Sequence, residues 1–166
     1  DGMASIPKLV DKAVADGMRG MAITDHGNMM GVKELLNYTN KKNGPIKDEI
    51  KGLNKQIAEL EKAEVPDTAA IEELRNSLKE AKRRLFKPIF GCEMYCARRG
   101  TGQKTDKIDQ SGWHLVVLAK NEQGYHNLIK LVSRAYVDGF YMRPRTDHED
   151  LERFHEGLII CSAYSR

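Results

Sequence analysis

Four short apolar runs, separated by segments with helical spacing, constrain the fold of this chain more than any other feature. The runs at 21–24, 89–95, 114–119 and 157–162 have the length and composition of buried strands. Strands that alternate with amphipathic helices are typical of α/β proteins with parallel sheets. The sequence therefore predicts an α/β layer or barrel.

The helices of this alternation have recognisable ends. Residues 5–17 begin with a serine and a proline and finish at a glycine, as a helix with an N-cap does. Helical spacing resumes at Val32 and is predicted to stop in the Lys-Lys-Asn-Gly-Pro run at 41–45. A third amphipathic segment covers 121–137.

Residues 46–85 have a different pattern. Apolar residues recur at steps of three and four in two runs, which are heptad stripes, separated by Val-Pro-Asp-Thr at 65–68. The proline ends the first helix and the aspartate caps the second, so we expect an antiparallel helical hairpin. Its remaining surface is rich in Lys and Glu, which suits either a spacer inserted into the domain or a docking arm for a partner protein.

Composition excludes several classes of protein. No apolar run approaches the roughly 20 residues that cross a membrane, no segment reads as a signal peptide, and three cysteines do not make a disulfide framework. We therefore expect a cytoplasmic protein. A net charge of +3 is too small to indicate a nucleic-acid surface, and we expect the basic clusters at 98–107 and at Arg143 and Arg145 to be solvated loops.

Polar residues follow or interrupt two of the apolar runs. Asp25 and His26 come directly after the first, and Glu93 lies in the second. Because ligands gather at the carboxyl ends of parallel strands, this pattern suggests a site where imidazole and carboxylate bind a divalent metal. His114 begins an apolar run, where a histidine is more often structural.

The cysteines do not predict zinc. Cys92 and Cys96 are four residues apart and no second pair follows, while Cys92 and Cys161 lie in apolar runs where thiols behave as small hydrophobic groups. The chain also has no glycine-rich phosphate loop and no nucleophile elbow.

Several ordered motifs resemble one known family, the PHP (polymerase and histidinol phosphatase) domain of bacterial DNA polymerase III alpha subunits. The resemblance covers nearly the whole chain apart from 46–85, and the Lys-Asn-Glu-x-Gly-Tyr and Gly-Phe-Tyr runs favour the polymerase branch over free-standing phosphatases. The motifs are Asp-Gly-Met-Ala-Ser at 1–5, Ala-Ile-Thr-Asp-His-Gly-Asn-Met at 22–29, Lys-Pro-Ile-Phe-Gly-Cys-Glu-Met-Tyr at 87–95, the run from His114 to Tyr125, and Gly-Phe-Tyr with Pro-Arg at 139–145.

The resemblance implies a fold. Residues 1–166 would be a PHP domain fragment, an incomplete distorted (β/α)7 TIM-like barrel with the hairpin 46–85 inserted.

The resemblance also implies a cluster of divalent metals, zinc, manganese or magnesium, at the strand ends. Asp1, His26, Glu93 and His114 match the family's metal ligands. Asp25 is not among the ligands that the resemblance implies and would orient its neighbour His26.

The chain departs from the family pattern in three places. The family's His-x-His lies upstream of Asp1 and its Asp-x-His beyond Arg166, and Tyr164 stands where a cysteine is usual. We therefore expect the fragment by itself to be inactive.

The implied parent protein is the replicative DNA-directed DNA polymerase, a nucleotidyltransferase that uses magnesium at a site outside this chain. Its implied partners are DNA, the proofreading exonuclease subunit and other replisome subunits. The PHP domain would be either a metal-dependent phosphoesterase, acting on DNA 3′ ends or pyrophosphate, or a structural platform that supports proofreading. The alternative is a free-standing metal-dependent PHP phosphatase.

Overall fold

The computed structural model describes residues 4–110 and 112–163. Helices and strands alternate in the mixed α/β manner that the sequence predicts. The elements are α1 Ile6–Ala15, β1 Gly20–Ile23, α2 Val32–Glu61, α3 Thr68–Arg84, β2 Lys87–Ala97, a 3-10 turn Lys107–Asp109, β3 Gly112–Ala119, α4 Glu122–Val137, β4 Arg145–Thr146, α5 His148–Phe154 and β5 Leu158–Ser162.

The chain divides into two compact units. The first contains the residues up to Met21 together with Glu34–Lys87, and the second contains Ala22–Lys33 and the residues from Pro88 onward. The helical pair belongs to the first unit and most of the sheet to the second.

In the first unit, α2 and α3 run antiparallel. Arg75 pairs with Glu61 at 2.8 Å and Arg84 pairs with Glu49 at 2.5 Å, so the start of one helix lies beside the end of the other. The Asp67 side chain accepts a hydrogen bond from the Ala70 amide and caps α3, as predicted. The stripe residues are all buried or half-buried, and the seam between the helices is made of Ile46, Ile50, Leu53, Ile57, Leu60, Ile71, Leu74, Leu78, Ala81 and Leu85.

The predicted stop at 41–45 is wrong, because α2 continues through Pro45. A proline inside a helix costs about 3 kcal/mol, so contacts on both sides of it must outweigh that cost. The buried side chain of Asn43 donates to the Phe86 carbonyl at 2.8 Å and accepts from the Phe86 amide at 3.0 Å. This contact and the stripe that begins at Ile46 keep the helix unbroken.

Replacing Leu53 with Asp is expected to melt the hairpin while leaving the sheet of the second unit folded. The substitution puts a carboxylate into the half-buried seam, which should lower the stability of the hairpin by roughly 2 kcal/mol or more. Hydrogen exchange would show lost protection in 46–85 and retained protection in β3. Asn54→Asp adds the same charge on the exposed face and should change neither, whereas loss of protection in β3 with Leu53→Asp would show that the seam belongs to the main core.

The sheet differs from the parallel arrangement that the alternation predicts. Among the described residues the strand order is β1-β2-β3-β5, with β4 paired to β2. β2 is parallel to β4, whereas β3 is antiparallel to both β2 and β5. A loop without a crossover helix joins β2 to β3, and antiparallel neighbours need no crossover.

The core of the second unit lies between the sheet and helices α4 and α5. One face of β2 and β3 packs against α4 and α5. β5 is the neighbour of β3 on the side away from β2, and most of its residues are exposed. The strand predicted at 157–162 is present as β5, but the prediction that it is buried is wrong: Leu158 is half-buried and the remaining residues of β5, including Cys161, are exposed. The core residues are Cys92, Met94, Cys96, Val117, Leu128, Leu131, Ala135 and Leu151.

Arg145 corrects the expectation that both basic clusters are solvated. Its side chain is fully buried and donates hydrogen bonds to four backbone carbonyls, those of Thr101, Gln103, Asp109 and Gly139, at 2.7–3.1 Å. It therefore ties the 98–110 loop to the residues after α4.

Arg99 adds a second tie within the same loop. It pairs with Asp106 at 2.6 Å and with the buried Asp109 at 2.7 Å, and the guanidinium holds the pKa of Asp109 well below its usual range. The loop is therefore organised by its own charges.

Among the described residues, no helix has the length and apolar character that a membrane span requires.

Candidate functional site

The site begins with the backbone around Glu93, in the middle of β2. The Glu93 amide donates to the Asp25 carbonyl at 3.0 Å, and the Gly27 amide donates to the Glu93 carbonyl at 2.8 Å. These two bonds form a parallel bridge between His26 and Glu93. The turn that carries His26 is therefore fixed against β2.

Asp25 stabilises this turn. Its side chain accepts a hydrogen bond from the Gly31 amide at 2.9 Å. Asn28 donates to the His26 carbonyl at 3.0 Å and accepts from the Met30 amide at 3.0 Å. Asp25 and Asn28 together close the turn between β1 and α2.

His114 reaches the site through the antiparallel pairing of β2 with β3. Glu93 lies opposite Val116 and Tyr95 lies opposite His114. Because side chains alternate along a strand, these four residues share one face of the sheet. His114 is close to Glu93 as its diagonal neighbour across two antiparallel strands.

Glu93 contacts both histidines with its two carboxylate oxygens. Nδ1 of His114 lies 2.5 Å from Oε1, and Nδ1 of His26 lies 3.2 Å from Oε2. The Glu93 side chain is 18% exposed, against 48% for His26 and 35% for His114. The His26–Glu93–His114 cluster is thus an open site with a half-buried acid at its base.

The structure brings together three of the four residues that the resemblance implies as metal ligands. Asp1 and Tyr164 lie outside the described residues. Within 4–110 and 112–163, no group of three or more His, Cys, Asp and Glu side chains could hold a metal ion as arranged.

The donor chemistry of the cluster nevertheless suits a divalent cation. Two ligands about 2.1 Å from a tetrahedral ion are about 3.4 Å apart, close to the 3.2 Å between His26 Nδ1 and Glu93 Oε2. The shorter contact of Glu93 with His114 is a hydrogen bond of the kind that orients metal-binding histidines.

The cysteines have the structural environment that the sequence predicts for Cys92. Burial, reinforced by the nearby Asp25 charge, raises the pKa of Cys92 to about 12, and its thiol contacts the Asp25 carbonyl. Burial also raises the pKa of Cys96. Both thiols are therefore protonated at neutral pH and pack as apolar groups.

Two residues of the site were missed from the sequence. The Tyr95 ring packs edge-on against His114 with centroids 4.9 Å apart, and Arg143 donates to the Tyr95 hydroxyl at 2.9 Å. Tyr95 is two residues beyond Glu93, so strand alternation could have placed it on the same face. Nothing in the local sequence distinguishes the exposed Arg143 from the buried Arg145.

Comparison with known proteins agrees with the motifs. The family model described as PHP domain matches residues 1–166. The chain is similar to proteins named DNA polymerase III subunit alpha: it is 35% identical to that of Borreliella burgdorferi over 98% of this chain and 11% of the relative. It is 30% identical to that of Aquifex aeolicus over 98% of this chain and 11% of the relative. It is 43% identical to that of Thermus aquaticus over 51% of this chain and 7% of the relative. The chain thus spans about a tenth of the length of its full-coverage relatives.

Proposed function

This chain belongs to the PHP domain family, and we propose that it is the N-terminal PHP domain of a bacterial DNA polymerase III alpha subunit. The observation that carries the proposal is similarity over 98% of the chain to relatives of that name. It favours this assignment over a free-standing PHP phosphatase. The parent protein would then be a DNA-directed DNA polymerase of replication, acting in the cytoplasm.

An antibody raised against this chain tests the assignment in the source cells. We expect it to detect a polypeptide many times longer than this chain and to deplete primer extension activity from an extract. Detection of a short polypeptide, with primer extension unaffected, would favour the phosphatase instead.

The proposed fold is the distorted (β/α)7 barrel of the family. Its support is the match of residues 1–166 to the PHP domain family and the alternation of helices and strands along the chain. The helical pair within 46–85 is the proposed insertion into this barrel.

The proposed metal ligands are Asp1, His26, Glu93 and His114. A divalent cation, zinc, manganese or magnesium, would supply a water of lowered pKa and neutralise charge on phosphoryl oxygens. His26 and His114 would coordinate as neutral imidazoles. Glu93 would fix the direction of both rings through its two oxygens.

The proposed role of the domain in the parent protein is to support the polymerase and its proofreading. Its partners would be DNA, through the parent protein, and the proofreading exonuclease and other replisome subunits. The basis is the similarity to alpha subunits. In the parent, an assembled cluster could add phosphoesterase activity at DNA 3′ ends.

We expect this chain alone to hydrolyse neither DNA 3′ ends nor phosphomonoesters at a useful rate. Such hydrolysis requires ions held at fixed separation with positions open for water and substrate, and the described donors that converge are two imidazoles and one carboxylate. The assay is release of nucleotide from a 3′-terminated oligonucleotide with manganese, zinc or magnesium. Robust cleavage that disappears in His26→Ala would contradict this prediction.

A further inference from the structure

Arg143 is a cation on Tyr95, the ring that packs against His114 of the His26–Glu93–His114 cluster. Its guanidinium carbon lies 4.9 Å from the centre of the Tyr95 ring, and one N–H donates to the Tyr95 hydroxyl. The side chain is exposed, and no carboxylate of residues 4–110 and 112–163 forms an ion pair with it. One guanidinium N–H is therefore bound to the Tyr95 hydroxyl while the side chain as a whole is exposed.

The backbone that carries Arg143 is constrained on both sides. Met142 has a φ of 61°, which is uncommon for a residue other than glycine, and the Tyr141 amide donates to the Arg143 carbonyl at 3.1 Å. Two residues along, the buried Arg145 is anchored to four carbonyls. Such strain persists where the surroundings fix it, and it often accompanies a functional site.

The same segment lies against the turn that carries His26. A Cβ at Gly27 would lie 2.8 Å from Cγ of Pro144 and 3.2 Å from Cε2 of Tyr95, and Gly27 has a φ of 69°. Glycine is therefore required there both by its conformation and by the close packing of Pro144. The segment that carries Arg143 therefore packs against the His26 turn through Pro144, and Arg143 itself is linked to His114 through the Tyr95 ring.

We propose that Arg143 binds a phosphoryl oxygen of the substrate at this cluster, with Tyr95 as the positioning residue that holds its guanidinium. A guanidinium pairs with phosphoryl oxygens through parallel N–H donors. An arginine without a protein carboxylate beside a histidine–carboxylate site is what an anionic phosphate ester requires. This inference rests on the proposed phosphoesterase-like chemistry of the site.

The ligand chemistry is a phosphoryl group, which a phosphodiester strand end or a small phosphomonoester could supply. Titration calorimetry of this chain with a short single-stranded oligothymidylate and with thymidine 5′-monophosphate distinguishes the two sources. Each titration is made with manganese and with EDTA. We expect binding of at least one probe in the millimolar range or tighter.

Arg143→Gln is expected to weaken that binding about tenfold, the effect of losing a hydrogen bond to a charged group. Arg143→Lys should restore only part of it, because a lysine cannot form the paired contact, and Tyr95→Phe should weaken it less than Arg143→Gln. Arg153→Gln is the matched control: Arg153 is exposed and stacks on Phe154 at 5.3 Å, but is not part of the cluster. It should leave binding unchanged.

The inference is overturned if neither probe binds, if Arg143→Gln binds as the unmodified chain does, or if Arg153→Gln weakens binding equally. Failure of the proposed metal chemistry gives a different pattern. In that case manganese does not change the affinity for the probe, and His26→Ala binds the probe as the unmodified chain does. Arg143→Gln still weakens binding of the probe in EDTA.

Discussion

Arg145→Met is expected to lower the free energy of unfolding of the sheet-bearing unit by about 3 kcal/mol or more. The fully buried guanidinium donates to carbonyls of two segments, the 98–110 loop, which includes the Lys107–Asp109 turn, and the residues after α4. Methionine has a similar length but no donors. The carbonyls that lose their partners would each cost about 1–3 kcal/mol where no water replaces the bond.

Burial lowers the pKa of Arg145, and the nearby Asp109 opposes that shift. Since an arginine stays protonated throughout the accessible pH range, the loss on substitution should not depend on pH between neutral and mildly alkaline solution. Urea denaturation followed by circular dichroism measures the change. Arg153→Met removes an exposed arginine that also stacks on an aromatic ring and should shift the midpoint little. Equal midpoints for the two variants would mean that the carbonyls are satisfied without Arg145.

The helical hairpin was the most predictable part of the fold. The apolar residues of its seam recur with helical period over two long runs, and such periodicity can be read from the local sequence without knowledge of tertiary contacts. The boundary at Pro45 failed because the contact that compensates the proline comes from Phe86, far along the chain. A local rule for helix ends cannot include a partner of that kind.

The direction of the strands could not be read from the alternation. Strand composition is nearly the same for parallel and antiparallel neighbours, and the decision lies in the loop between β2 and β3, whose order depends on Arg99 and Arg145. Both arginines lie in sequence contexts that look solvated. Their burial or pairing depends on acceptors contributed by several segments.

The site residues also differ in whether local sequence or distant contacts determine their positions. His26, Glu93 and His114 lie in motifs that resemble the family, and the structure places them together. Tyr95 follows from the alternation of side chains once the strand is known. Arg143 depends on the φ of Met142 and on the anchoring of Arg145, which no pattern of residue types shows.

Glu93→Ala is expected to weaken manganese binding by this chain about 100-fold or more. Loss of a group that only orients a ligand already costs about 10–100-fold in metal affinity, and Glu93 orients two imidazoles with its two oxygens as well as being a proposed ligand itself. Without it, His26 and His114 keep no shared acceptor, and the charge that offsets the cation is removed. The manganese affinity of Glu93→Gln should lie between that of the unmodified chain and that of Glu93→Ala, because an amide can still accept a hydrogen bond from one ring but carries no charge.

Titration calorimetry with manganese and zinc measures this effect, and a thermal melt beside it shows whether each variant is folded. Glu122→Ala is the matched control, since Glu122 also faces a histidine, His126 at 4.0 Å, but on the exposed surface of α4. It should bind metal as the unmodified chain does. If the unmodified chain binds neither metal, or if Glu93→Ala binds as tightly as the control, then the cluster serves only to fix the His26 turn against the sheet. In that event the contacts of Glu93 with the two rings are purely structural. Glu93→Ala should then lower the melting temperature without changing metal affinity.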